Sequence, residues 1–169
     1  VSGFSEERLK LKHPGTKARV IQMQEKQIVT KAVLEEVPWI ESDGEKYFAP
    51  DGEYQKIAVI ERHKNTGKMG VGIVKGYGIR GGAIASSVSH DSHNIIVVGD
   101  NDHDMAVAVK EMMRTQGGYT LVCNGEIYGT LPLPVMGLMS DAGYEHVNEA
   151  RARMIPKAHE MGVKDGFDP

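Results

Sequence analysis

Between Asn94 and Leu131 the chain places, in immediate succession, an apolar run, a capped amphipathic stretch and two β-prone segments around Asn124-Gly125, and few folds accommodate that order. Asn94-Ile-Ile-Val-Val-Gly99 is apolar at consecutive positions, as an interior strand covered on both faces would be. Asn101 then offers an N-cap oxygen for a helix running to about Thr115. Asp102 and Asp104 fall in its first turn, Met105, Val109, Met112 and Met113 form its inner face, and Gly117-Gly118 is its expected stop. Tyr119 to Cys123 and Glu126 to Leu131 flank Asn124-Gly125, which supplies positive φ at both positions of a type I′ turn. Strand, helix, strand invites a parallel crossover, whereas the hairpin is antiparallel. The expected fold class is therefore α/β (α+β): a mixed β-sheet with packed helices in a single domain.

Upstream, Ala18 to Met23, Gln27 to Val37 and Lys56 to Glu61 are rich in Val and Ile and broken by Pro38, Asp43-Gly44 and Asp51-Gly52, so they read as strands separated by turns. Between Asn65 and Gly82 the glycine density predicts a loop-rich, mobile stretch. Downstream, a helix is expected from about Asp141 to Glu160, kinked or split at Pro156. Residues 1–17 lack apolar periodicity and read as an N-terminal arm or linker, leaving residues 18–169 as the domain. The chain opens on Val1 rather than Met, as a processed chain or a piece of a longer one would.

Charge and apolar content exclude several roles. Twenty Lys and Arg against 23 Asp and Glu give a formal net charge of -3, so no basic field exists to hold nucleic acid or an anionic membrane. No apolar run approaches the roughly 20 residues that span a bilayer. A lone cysteine, Cys123, makes neither an internal disulfide nor a multi-cysteine zinc site and reads as a small buried apolar residue. A cytoplasmic location is expected.

The densest polar cluster is Ser86-Ser-Val-Ser-His90-Asp91-Ser92-His93-Asn94, between two expected strands. A turn there brings two imidazoles, a carboxylate and several hydroxyls to one sheet edge, where a rigid scaffold holds them. Histidine exchanges protons near neutral pH, aspartate orients an imidazole, and serine holds a substrate heteroatom. A purely structural Asx-type turn with solvated histidines accounts for the same residues, and both readings stay open. As a metal site, His90 and His93 are weak candidates, because further ligands are not evident. His13, His63, His103, His146 and His159 stand singly, and His-Glu-x-x-His does not occur. Gly76-Tyr-Gly78-Ile-Arg-Gly81, with Asp100 downstream, matches a dinucleotide fingerprint formally, but a strand rather than a helix is expected after it. Asp100, Asp102 and Asp104 lack the distal glutamate of a calcium loop and read as helix capping. Met136 and Met139, after two prolines, fit either a core lid or a partner surface.

The run from Gly81 through His90-Asp-Ser-His-Asn94 to Gly99, followed by Asn101-Asp-His-Asp-Met-Ala and by Leu131-Pro-Leu-Pro-Val-Met-Gly-Leu-Met-Ser-Asp141, resembles the C-terminal domain of bacterial adenine deaminases of the amidohydrolase superfamily. The similarity extends back through Gly15-Thr-Lys-Ala-Arg-Val-Ile21 and Gln27-Ile-Val-Thr30. It implies hydrolysis of adenine to hypoxanthine and ammonia, in purine salvage. It also implies a divalent metal (Mn, Fe or Zn) held by a His-x-His pair on an upstream barrel, as well as a homo-oligomer. This chain has neither that pair nor the roughly 250 residues of an eight-fold barrel, so it is not the metal-binding barrel itself. No catalytic residue is assigned here. Ser89, His90, Asp91, Ser92, His93 and Asn94 are the candidates for a substrate-proximal loop facing the upstream barrel and its adenine. A stand-alone purine-binding module and a non-catalytic assembly domain are the alternatives.

Overall fold

In a computed structural model of the chain, residues 1–13, 15–27 and 29–167 are described. Pro14 of the expected arm, Ile28 of the expected Gln27 to Val37 strand, and the last two residues of the expected domain lie outside them. The strands are β1 (Ala18–Gln22), β2 (Lys31–Glu35), β3 (Trp39–Ser42), β4 (Glu45–Phe48), β5 (Tyr54–Ile60), β6 (Met69–Lys75), β7 (Gly82–Ser86), β8 (Ile95–Gly99), β9 (Gly118–Cys123) and β10 (Glu126–Pro132). The helices are α1 (Asp102–Thr115) and α2 (Tyr144–Glu160). Eight strands form one sheet in the order β10-β9-β7-β8-β5-β6-β1-β2, and β3 pairs with β4 apart from it.

The sheet is mixed. β1 runs parallel to β6 and antiparallel to β2. β8 and β9 each pair antiparallel with β7, so they run parallel to each other with β7 between them and α1 as their crossover. The hairpin forms where Asn124-Gly125 predicts it, with φ of 49° and 84° at the two positions.

α1 covers one face of the sheet. Its Met105, Ala106, Val109 and Met112 pack on Ala58, Ala83, Ala85, Val97 and Val122, and the small sheet residues permit the close approach. α2 closes the other face with Ala150, Met154 and Ala158 against Val98, Leu121 and Leu131. β8 is therefore covered on both sides, as its unbroken apolar run predicts.

Several expectations need correction. The glycine-rich stretch is not wholly loop, because β6 lies within it. Gly70 and Gly72 sit on that strand, and Ile57 of β5 lies 3.6 Å from where a Gly72 Cβ would stand. Met113 points outward, and Ala106 and Ala108 take the inner face instead. The end of α1 at Thr115 needs no correction: its C-cap Gln116 adopts the left-handed conformation and donates its N–H to Met112 O, with Gly117 and Gly118 following at φ of 123° and 139°. α2 continues through Pro156, which lies on its exposed side, where water can satisfy the carbonyl the proline leaves unbonded. The expected arm packs on the domain over residues 1–13, which is compatible with its reading as an arm: Leu9 is fully buried, and Val1 and Phe4 pack against the α1 core. Cys123 is half-buried at the end of β9.

Candidate functional site

The antiparallel order brings four connections to one sheet edge. Ile60 lies opposite Ile95, Ser86 opposite Tyr119, and Gly118 opposite Pro132. Residues 61–68, 87–94, 116–117 and 133–143 are thereby neighbours, and the candidate loop lies among them. The formal dinucleotide motif falls at the opposite edge. There the Asp100 carboxylate accepts from Gly81 N at 2.6 Å and Gly82 N at 3.1 Å, and β7 follows directly. Asp104 accepts from Gly125 N at 2.7 Å, and Asp102 pairs with the buried Lys56. All three aspartates thus have structural partners.

The candidate loop is a tight turn on a rigid base. Ser87 is fully buried, and its hydroxyl donates to Gly137 O and accepts from Gly118 N, both at 2.7 Å. Above it, His93 N donates to Ser89 O at 2.7 Å and Ser92 N to His90 O at 2.9 Å. Ser89 Oγ lies 3.5 Å from Ser92 Oγ. Asp91 and His93 both adopt positive φ, at 65° and 47°. Side chains with a Cβ rarely take that conformation, and such strain persists only where surrounding contacts enforce it.

Those contacts come from the segment after β5. Arg62 Nε donates to His93 O at 2.6 Å, Nη1 to Gln116 O at 3.3 Å, and Nη2 to Met136 O. His63 Nε2 lies 2.9 Å from Ser92 O and 3.1 Å from His93 O, so it carries the proton and donates to them. Glu61 shapes the segment by accepting from the backbone N–H groups of His63, Lys64 and Thr66. The N–H groups of Lys64 and Thr66 lead in holding its carboxyl at about 2. Burial pulls the Arg62 guanidinium below its ordinary value.

Of the six candidate residues, His90, Asp91 and Ser92 present exposed side chains, Ser89 is buried, and His93 and Asn94 are half-buried. His93 Nδ1 and Asn94 Oδ1 are buried atoms without a hydrogen-bond partner among the described residues. The loop therefore offers an imidazole, a carboxylate and a hydroxyl outward on a clamped backbone. Among the described residues no three His, Cys, Asp or Glu side chains gather to hold a metal ion, and His90 and His93 find no third ligand. Arg62 and His63 were not singled out by sequence: their partners are backbone carbonyls 29 to 74 positions away, which leave no motif.

An apolar cleft of about 280 Å³ runs under α2, with Ile84, Tyr119, Leu121, Leu133 and Met154 in its wall together with Val88, which precedes the loop in the chain. Exposed Val135, Met136 and Met139 lie in the adjoining segment. No helix among the described residues is long and apolar enough to cross a membrane.

Residues 27–169 match a family model described as adenine deaminase C-terminal domain. The chain is 47% identical over 166 residues to an adenine deaminase of Desulfitobacterium hafniense (strain Y51), covering 98% of the chain and 28% of that protein. It is 52% identical over 143 residues to one of Nitratidesulfovibrio vulgaris (strain DP4), covering 85% of the chain and 24% of that protein. With the adenine deaminase of Bacillus subtilis (strain 168) it shares 43% identity over 152 residues, covering 89% of the chain and 26% of that protein. The chain thus spans about a quarter of the length of the curated relatives it matches.

Proposed function

The chain belongs to the adenine deaminase C-terminal domain family, and we propose that it works as the C-terminal part of an adenine deaminase, a cytoplasmic, homo-oligomeric enzyme that hydrolyses adenine to hypoxanthine and ammonia. The observation that carries this reading is a match over 98% of the chain to an adenine deaminase of which it spans only 28%. The remainder of such an enzyme is the partner, and the resemblance makes it a barrel carrying a divalent metal, Mn, Fe or Zn, that supplies the hydrolytic chemistry. The described residues of this chain gather no set of ligands that would fit that metal.

This chain's own contribution is the loop from Ser89 to Asn94. It faces the barrel mouth and helps close the site over the purine. His90 and Asp91 meet ring nitrogens or the exocyclic amine, as groups able to exchange a proton or accept a hydrogen bond. The Ser92 hydroxyl adds a further donor and acceptor, and Ser89, His93 and Asn94 secure the turn from below.

The test is ammonia release from adenine by the upstream portion of the Desulfitobacterium hafniense relative, with and without this chain. Activity that requires the mixture supports the reading. Equal activity without the chain refutes it. The apolar cleft under α2 favours a second reading, a purine-binding module without catalysis, because its wall offers shape and apolar surface but no acid–base pair. Saturable adenine binding by the isolated chain, with no effect on the upstream portion, would select that alternative.

A further inference from the structure

We propose that Arg62 is a positioning residue that locks the His90–Ser92 turn and the Met136 loop into one rigid rim, so that neither loop moves without the other. The inference rests on the reading of the His90 turn as part of a deaminase site, and adds to it a residue that touches no substrate.

Three observations carry it. First, the guanidinium is spent on backbone carbonyls from three separate segments: His93 in the turn, Gln116 at the end of α1, and Met136 after β10. A planar fork with fixed donor directions can join three such acceptors, and an ammonium on a flexible stem cannot hold the same geometry. Second, each of those carbonyls belongs to a non-glycine residue in the left-handed region, with φ of 47° at His93, 61° at Gln116 and 58° at Met136. Gln116 also closes α1 through its N–H to Met112 O, but for all three left-handed backbones the carbonyl ends on this one side chain, which ties them together. Third, the chain makes room for it. A Cβ on Gly137, whose φ is 75°, would stand 2.4 Å from Arg62 Nη2 and 2.8 Å from its Cζ.

The arrangement sets the backbone of the two loops and leaves their side chains free to act. His90, Asp91 and Ser92 project outward on one side of the clamp, and on the other Met136 is 75% exposed. His63 reaches only the turn, through Ser92 O and His93 O, so it does not replace Arg62 in joining the two loops.

The experiment compares Arg62→Ala and Arg62→Lys by amide hydrogen exchange in the chain itself. It also compares them by adenine kinetics in a chimera, the Desulfitobacterium hafniense relative with its matched segment replaced by this chain. In Arg62→Ala the amides of Ser92 and His93 and those of Leu138 and Met139 exchange about tenfold faster together, while the α1 amides keep their protection. Arg62→Lys, which keeps the charge, fails to restore both sets at once. In the chimera KM for adenine rises about tenfold in both variants, and kcat changes less than about threefold. Exchange that is unchanged, or faster in one loop only, overturns the clamp. Should Arg62→Ala not fold, full restoration of both loops and of KM by Arg62→Lys overturns it equally. Faster exchange in both loops with an unchanged KM leaves the clamp standing and instead contradicts the reading of the turn as substrate-facing.

Discussion

The hydroxyl of Ser87 donates to the carbonyl of Gly137 across 2.7 Å, tying the start of the β7–β8 loop to the segment that follows β10. The same oxygen accepts from Gly118 N at 2.7 Å, so one buried side chain satisfies two backbone groups beneath the candidate site. Ser87→Ala strands both groups, and a buried group left unpaired costs about 1–3 kcal/mol. Urea denaturation should show a loss of about 2–3 kcal/mol, with the slope against urea unchanged. A loss below about 0.5 kcal/mol would mean that water replaces the hydroxyl freely.

Gly117 permits the close contact between the end of α1 and the Met136 segment. A Cβ there would stand 2.6 Å from Gly137 Cα and 2.7 Å from Ser87 Oγ, at a φ of 123° that side chains rarely adopt. Gly117→Ala should lower Tm by many degrees or abolish soluble expression. Gly15→Ala, where a Cβ meets nothing within 4 Å, should leave Tm within a degree or two. Equal Tm values for the two variants would contradict the packing described at this junction.

Lys56 is 3% exposed in β5, and its ammonium pairs with Asp102 at the start of α1. Removing the carboxylate leaves a buried charge without compensation, so Asp102→Ala should cost roughly 3 kcal/mol. Adding Lys56→Met should recover most of that loss, since an apolar side chain of similar length packs where the ion pair stood. Additive losses in the double variant, measured by thermal denaturation, would show that the pair is not the source of the cost.

Glu61 gives the 61–66 segment a signature in pH. The backbone N–H groups of Lys64 and Thr66 hold its carboxyl at about 2, below the roughly 4.3 of a free glutamate. A folded value below the unfolded one means that the carboxylate's contribution is complete above about pH 4.3 and is lost as pH falls toward the folded value. Wild type should therefore exceed Glu61→Gln in stability at pH 7, and the gap should close between about pH 4.3 and 2. A pH-independent gap would assign the effect to packing instead.

What the sequence discloses depends on how local the governing interaction is. Asn124-Gly125 declares its hairpin because positive φ at two consecutive positions is a property of those residues alone. Asn101 declares the start of α1 likewise, its side chain accepting from Asp104 N at 2.8 Å. Gly117-Gly118 mark its end at Thr115 as well, whereas the left-handed Gln116 cap, its carbonyl held by Arg62, leaves no sign in the sequence. β6 is masked by glycines whose strand conformation comes from pairing with β5. In the candidate site, the residues that present themselves to solvent were legible as a cluster from His90 to Ser92. Of Arg62, Ser87 and Gly137, which hold them, only Ser87 lies in the polar run from Ser86 to Asn94; the other two were not legible, because they meet it only through the fold.

Steady-state kinetics of adenine deamination by the same chimera carrying His90→Gln or Asp91→Asn test most directly whether the turn meets the purine. Asparagine tolerates the left-handed backbone that Asp91 occupies, so that variant removes the charge while keeping the turn. The prediction is a fall in kcat/KM of about tenfold or more for each variant, with Tm unchanged, as expected for groups that meet the purine rather than support the fold. If kcat and KM match those of the unsubstituted chimera in both, the turn is structural and the central claim is wrong.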